Sequence, residues 1–234
     1  MAEPDEIFTA ARNLLIGTGP LRGKRVLVSA GGTREPLDAV RFVGNRSSGR
    51  MGVALAAEAR RRGAHVTLLA ANLAVAPPPG VEVVETPTAS ELEREALVHG
   101  SEADVVIMAA AVADYRPAAA LVTKRPKDSI AWTVELEPTV DVLAALGAER
   151  RAGRLLVGFA ADQGELGLQR ARQKLTNKNA DLFVFNDVGR DDIGFDAQDN
   201  EVTLVSAAGE RLVPKASKPE IASAILDEVE RLLG

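Results

Sequence analysis

The sequence predicts an α/β domain built on a doubly wound, mostly parallel, Rossmann-like sheet with a C-terminal antiparallel hairpin. Three observations predict it. Continuous apolar runs recur along the chain, helical stretches of about ten to fifteen residues separate them, and small residues cluster where the runs end. The first run, KRVLVSA, ends in GGT, and AHVTLLAA, VEVVET, ADVVIMAAAVAD, RLLVGFAAD and DLFVFND follow, each apolar enough for a strand buried on both faces. Helices are expected over residues 48–62, 90–99, 139–151, 165–179 and 218–233. Late in the chain NEVTLVS and ERLVP flank AAG and read as a hairpin. Residues 6–16 have helical periodicity and GTGPLRG follows, so residues 1–22 are expected to form a leading helix and linker and residues 23–234 the domain. Residues 116–137 break the alternation: a proline-marked basic loop leads into an alternating strand and is expected to lie as a flap over the site.

The chain has 234 residues, long enough to bury about three quarters of its unfolded surface. With 46% hydrophobic but only 3% aromatic residues, the core must be built of small aliphatic side chains. A net charge of −5 argues against a general nucleic-acid or membrane-surface binder and leaves room for a local basic pocket. Cysteine is absent, which excludes disulfides and thiolate chemistry, and His65 and His99 alone do not make a zinc site. His65 opens an apolar strand and His99 ends a helix; both read as structural. No apolar run reaches the length of a membrane span, and the first five residues are acidic rather than basic, so a cytoplasmic location is expected.

Ligands of doubly wound sheets bind beyond the carboxyl ends of the strands, which draws attention to GGT, AAAVADY, GFAADQ and FNDVG. The segment RFVGNRSSGRMG, residues 41–52, is the densest in glycine and donors and suggests an anion. A dinucleotide fingerprint fails twice: roughly sixteen residues separate Gly31 and Gly32 from the helix, and the second strand ends in Ala70, Ala71 and Asn72 with no acid. Tyr115 has alanine at position 119, so the Tyr-x-x-x-Lys pair of short-chain reductases is missing. Gly44 and Gly49 have P-loop spacing, but Arg50 and Met51 stand where lysine and a hydroxyl belong. What remains is Ser47 or Ser48 capping a helix that begins near Gly49, whose free N–H groups favour a phosphate or carboxylate. The plainer alternative is a glycine-rich loop shaped by turns and a cap alone.

Taken in order, SAGGTREPLDAVRFVGNRSSGRMG, AAAVADYRP, a lysine-bearing loop, VGFAAD and ARQKLTNKNADLFVFNDV resemble the phosphopantothenoylcysteine synthetase family in its bacterial, CTP-using form, over about residues 23–232. The resemblance implies ligation of L-cysteine to 4′-phosphopantothenate in coenzyme A biosynthesis. The acid attacks the α-phosphate of CTP and pyrophosphate leaves; the cysteine amine then captures the acyl-cytidylate and CMP leaves. It also implies magnesium, a homodimer, and in many bacteria fusion behind a flavin-dependent decarboxylase domain. Residues 1–22 resemble the linker of that fusion, so the chain is expected to be the carboxyl-terminal half without the decarboxylase.

Carried over residue by residue, the resemblance makes Asn45, in an Asn-x-Ser-Ser-Gly motif, the group acting on the acyl-cytidylate, where its amide donates as charge develops on the carbonyl. Arg41 matches the arginine that aids this second step, and Lys124 the lysine that serves cytidylate formation. Proline at 126 replaces a basic position of the family's strap, which leaves the choice within residues 124–127 open by one, and Arg50 stands where many relatives have lysine. Gly31, Gly32, Ser47, Ser48 and Gly49 are expected around the ligand, with Ala110 and Ala111 permitting close approach to the backbone. Asp114 is the expected magnesium ligand or ribose partner, with a turn cap as the alternative. Phe159, with backbone groups of Ala160 and Ala161, is expected at the cytosine; Lys174 and Lys178, four apart on one helical face, and Asp187 near the nucleotide. Taken singly, the lysines and Arg41 read equally as solvated or ion-paired surface charges, and Asn45 as a turn residue. Residues 128–137 and the late hairpin are the candidate dimer interface. Two rivals come from other classes, a nicotinamide-dependent reductase and a non-catalytic nucleotide-binding module.

Overall fold

The structure is a computed structural model and describes residues 19–189 and 199–234. The expected helix over residues 6–16 lies outside the described residues. Eight of the apolar and alternating runs join one sheet: β1 (Arg25–Gly31), β4 (His65–Ala71), β5 (Glu82–Glu85), β6 (Val105–Met108), β9 (Leu155–Asp162), β10 (Leu182–Asp187), β11 (Asp199–Ser206) and β12 (Gly209–Ser217). Their order is β12-β11-β10-β9-β6-β1-β4-β5. From β5 to β10 every pairing is parallel, and β11 and β12 add an antiparallel hairpin on the far edge. The parallel part thus runs 3-2-1-4-5-6 in sequence order, with its topological switch between β1 and β6.

Strand periodicity sends alternate side chains to two separate cores. Val26, Val28, Ala30, Val105 and Ile107 meet α1 (Arg50–Arg61) and α5 (Lys218–Leu233) through Leu55, Ala56, Ile221 and Ile225. On the other face Leu27, Val106, Met108 and Phe183 meet α2 (Ala89–Gly100), α3 (Val142–Ala148) and α4 (Gly164–Asn177) through Leu92, Leu146 and Ala171. The result is an α/β/α sandwich built, as the composition required, mainly from alanine, valine and leucine.

Arg62, only 6% exposed at its side chain, ties α1 to α5 by pairing with Glu58 at 2.8 Å, Asp227 at 2.8 Å and Glu230 at 2.7 Å. Burial works against its charge, but these carboxylates outweigh it and raise its pKa above the ordinary arginine value. Packing starts ahead of residue 23, the expected start of the domain: Leu21 is buried in the α1/α5 core, and a Cβ on Gly19 would stand 2.2 Å from the Arg62 carbonyl oxygen.

Three elements differ from expectation. The run ADVVIMAAAVAD is a strand only over Val105–Met108; beyond it the chain turns away to line the site. The alternating stretch in residues 116–137 pairs only at its end, where β8 (Leu136–Pro138) meets β7 (Tyr115–Pro117), because no other strand lies alongside to complete a ladder. Two short strands went unforeseen, β2 (Arg34–Pro36) and β3 (Phe42–Gly44), which form a small antiparallel ribbon touching β7. Among the described residues no helix is long and apolar enough to cross a membrane.

Candidate active site

Two hydroxyls on β1 and just beyond it build the floor of the site. Ser29 Oγ accepts the Ala110 N–H at 3.1 Å, and buried Thr33 Oγ1 accepts the Ala113 N–H at 2.9 Å. The loop after β6 is thereby pinned across the end of β1, and an isolated bridge joins Gly32 to Ala111. Gly31 (φ 92°) and Gly32 make the crossing possible: a Cβ would fall 1.9 Å from the Ala71 carbonyl oxygen at the first and 2.9 Å from the Asn45 carbonyl oxygen at the second. Above this floor, at the switch point of the sheet, opens a cavity of about 710 Å³.

The start of α1 forms one wall and corrects the expected cap. Neither Ser47 nor Ser48 serves as the N-cap: Gly49 does, in a left-handed conformation at φ 78°, with no side-chain hydrogen bond to the helix start. Ser47 Oγ instead accepts the N–H of Gly49 at 3.4 Å. The physical reason is steric, since Gly49 lies against β1, where a Cβ would stand 3.2 Å from the Gly31 nitrogen. The first turn carries Arg50 and no acid, so the unpaired N–H groups and the helix dipole face the cavity uncompensated.

The cavity brings together Asn45, Ser47, Ser48, Gly49, Ala110, Ala111, Asp114, Phe159, Lys174 and Lys178. Asn45 Nδ2 donates to the Val112 carbonyl at 2.8 Å, so its amide is held at the cavity wall. Lys178 pairs with Asp141 at 2.9 Å, while Lys174 stands one turn earlier on the same face. Burial acts to raise the Asp141 pKa, but Lys178 and the Ala144 N–H prevail and hold its carboxyl below the usual carboxylate range. Asp114 lines the wall through an exposed side chain, and its carbonyl accepts the Thr139 N–H at 2.9 Å.

Five expected residues lie elsewhere. Gly31 and Gly32 form the seat beneath the cavity rather than its lining. Asp187 spends its carboxylate on the N–H groups of Gly189 at 2.9 Å and Gly164 at 3.2 Å, and it faces a separate cavity of about 220 Å³. Arg41 and Lys124 sit outside the lining, Arg41 on the turn between β2 and β3 and Lys124, exposed, on the segment between β7 and β8. Neither histidine lines the cavity.

Sequence reading missed Asp141, Asn186, Asn200 and Lys218. Asn186 is the most telling. It lines the cavity one position before Asp187, and its Oδ1 is buried without a hydrogen-bond partner. The strand period carried the signal: one step along β10 moves a side chain to the other face of the sheet, so Asn186 and Asp187 serve different cavities. Asn200 and Lys218, 4% and 7% exposed, arrive from β11 and the first turn of α5, which sequence reading treated only as interface and packing.

The electrostatics are one-sided. Arg46, Arg50, Lys174, Lys178 and Lys218 line the cavity against Asp114 and Asp141, five cations to two carboxylates in a chain of net charge −5. Among the described residues no cluster of three or more His, Cys, Asp or Glu side chains could hold a metal without ligand help. The sheet order and the cavity at its switch point define a doubly wound α/β domain whose main cavity is rich in cationic side chains.

The chain belongs to the family described as DNA/pantothenate metabolism flavoprotein C-terminal domain, which it matches over residues 21–233. It is similar to the Coenzyme A biosynthesis bifunctional protein CoaBC of Mycobacterium tuberculosis (strain ATCC 25618 / H37Rv), at 42% identity over 249 aligned positions covering 100% of this chain and 59% of the relative. The Bacillus subtilis (strain 168) CoaBC is 38% identical, covering 99% of this chain and 58% of that protein. The chain therefore spans somewhat over half the length of these relatives. Among solved structures, the crystal structure of the C-terminal domain of CoaBC superposes with a TM-score of 0.78 at 39% identity, covering 92% of this chain and 98% of that one. A Cab2 mutant in complex with phosphopantothenate-cysteine has the same fold, with a TM-score of 0.74 at 18% identity, covering 98% of this chain and 90% of that one.

Proposed function

We propose that this domain ligates L-cysteine to 4′-phosphopantothenate at the expense of CTP, through an acyl-cytidylate. The observation that carries the reading is the cavity itself: five cations and an uncapped helix start converge on one space at the end of a parallel sheet. Two phosphorylated substrates repel each other, and only such a concentration of positive charge and N–H donors can hold both in contact. The relatives named for coenzyme A biosynthesis and the Cab2 complex support the choice of acid and amine.

In this reading Lys174 and Lys178 neutralise nucleotide phosphate charge, and the start of α1 offers its N–H groups to a phosphate or carboxylate. Phe159 supplies an apolar face for the base, and Asn186 Oδ1 accepts an N–H from it. Asn45 lies beside the 110–113 backbone, where a small rotation takes its amide from the Val112 carbonyl to the carbonyl of the activated acid. Asp114 fits magnesium: among the described residues it is the cavity carboxylate with no cationic partner, Asp141 being held by Lys178, and magnesium is commonly bound by one or two carboxylates together with substrate phosphates. Bound there, the ion would withdraw charge from the leaving pyrophosphate.

A homodimer belongs to the same reading. Val40, Phe42, Tyr115, Leu121, Val122, Ile130 and Leu136 are all exposed, and all lie on the β2–β3 and β7–β8 ribbons or the segments they carry. Arg41 and Lys124 ride on the same ribbons outside the cavity. An apolar face this large is covered if the ribbons pack on a second copy. This favours the 128–137 segment over the late hairpin, where Leu212 is the exposed large apolar residue.

Pyrophosphate release from CTP, 4′-phosphopantothenate and magnesium tests the reading. We expect a burst without cysteine and steady turnover once it is added. Asn45→Ala should keep the burst and lose product, and Lys124→Gln should suppress the burst. CTP binding with no release under either condition would leave a nucleotide-binding module.

A further inference from the structure

The long segment between β7 and β8, which carries the basic run at residues 124–127, is fastened at one buried carboxylate. The Asp38 side chain, on the turn between β2 and β3, is fully shielded from solvent. It accepts the N–H groups of Val40 and Arg41, each at 2.8 Å, and the Arg41 guanidinium at 3.1 Å. Its fourth donor comes from 87 residues away: the backbone N–H of Arg125, at 3.2 Å. Arg41 returns a bond from Nη2 to the Arg125 carbonyl at 3.4 Å. The guanidinium groups of Arg41 and Arg125 then both lie over the Trp132 ring, at 5.5 and 5.1 Å from its centre, while Arg125 also pairs with Asp128 at 3.3 Å. A further backbone bond, Leu121 N–H to the Leu37 carbonyl at 3.0 Å, fixes the near end of the segment.

A hydrophobic core explains none of this. Most residues from 118 to 136 are exposed, and the segment has no regular secondary structure before β8. A carboxylate buried in such surroundings is costly unless its hydrogen bonds are satisfied, and here two of its partners belong to Arg41 and one to the chain position next to Lys124. Burial alone would raise its pKa; the three backbone N–H groups and Arg41 hold it below the usual carboxylate range.

We propose that Asp38 is a positioning residue: with Arg41, Arg125 and Trp132 it forms a clasp that joins the Lys124 segment to the Arg41 turn, so that the two cations move toward a bound ligand as one unit. The clasp stands on its own geometry; its bearing on catalysis rests on the roles proposed above for Lys124 and Arg41. Lys124 is adjacent to the clasped residue, so releasing Arg125 releases Lys124 without touching it.

Trp132 is the single tryptophan of the chain and therefore reports the clasp directly. The test compares the wild-type chain with Asp38→Asn, which keeps the shape and loses the charge. We expect the emission of Trp132 to shift to the red, its quenching by acrylamide to rise about threefold, and trypsin cleavage after Lys124 and Lys127 to accelerate roughly tenfold, with pyrophosphate release slowed more in kcat than in KM for CTP. Asp38→Glu should recover part of each effect. Unchanged quenching and cleavage in Asp38→Asn would overturn the clasp, whatever the ligase assay gives. A freed Trp132 with pyrophosphate release at the wild-type rate would overturn the positioning role. If Asp38→Asn fails to fold, Arg125→Gln on the partly exposed strap makes the same comparison through loss of one stacking cation. A wild type without ligase activity would count against the proposed function and leave the fluorescence result standing.

Discussion

The starts of α1 and α2 are built on opposite terms. At α2, Thr88 Oγ1 accepts the Glu91 N–H at 3.3 Å and the Glu91 carboxylate accepts the Thr88 N–H at 3.0 Å, a complete capping box with its acid in the positive end of the helix. At α1 the cap is a left-handed glycine, the first turn is basic, and the donors point into the cavity. Both helices are 12 residues long and pack on the same sheet. The difference teaches that α1 forgoes a side-chain cap at a local cost in stability that its core contacts offset, and under the proposed function a ligand completes that terminus.

That comparison can be broken at several strengths. The largest effect is expected from Gly52→Val, because a Cβ there would stand 2.4 Å from the Ala30 Cβ and 2.8 Å from the Ser29 carbonyl oxygen. Forcing α1 off the sheet should lower stability by about 3 kcal/mol in urea unfolding and abolish CTP binding in calorimetry. Arg50→Glu gives α1 the acid that α2 has: CTP affinity should fall roughly tenfold or more, while helix stability rises by about 0.5 kcal/mol. The reverse holds for Thr88→Ala, which should cost about 1 kcal/mol in thermal unfolding and leave CTP affinity unchanged.

The smallest effect concerns Asp162 at the end of β9, bonded twice by Arg170 at 2.6 and 2.7 Å and lowered to a pKa of about 2 chiefly by that pairing. Because the folded pKa lies below the unfolded one, its contribution is complete above pH ~4 and is lost as pH falls through ~2. A carboxyl titration by NMR should find that midpoint, and Arg170→Ala should move it back toward 3.8.

The fold was legible because buried parallel strands and their helices write period and length directly into the chain. Apolar and alternating runs located all eight strands of the main sheet, the last two as a hairpin around AAG. The cavity lining was legible where it lies on or just after a parallel strand, as at Ala110, Ala111, Asp114 and Phe159. It was obscure where a contact depends on the third dimension. Asn186 and Asp187 differ by one position and serve different cavities; the strand period puts them on opposite faces, but which face holds the larger cavity is set by the packing of the sheet. Asn200 and Lys218 come from the hairpin and the last helix, remote in sequence from everything else in the cavity. The ribbons carrying Arg41 and Lys124 were hidden because three-residue strands leave no periodicity to read.

The contribution of Lys218 also fixes when the cavity can exist. Its lining begins at Asn45 and is completed only by the first turn of the final helix, so a chain still being synthesised has the sheet floor and the open α1 terminus long before it has the last wall. Under the proposed function, nucleotide capture would thus wait until α5 has left the ribosome and docked beside α1.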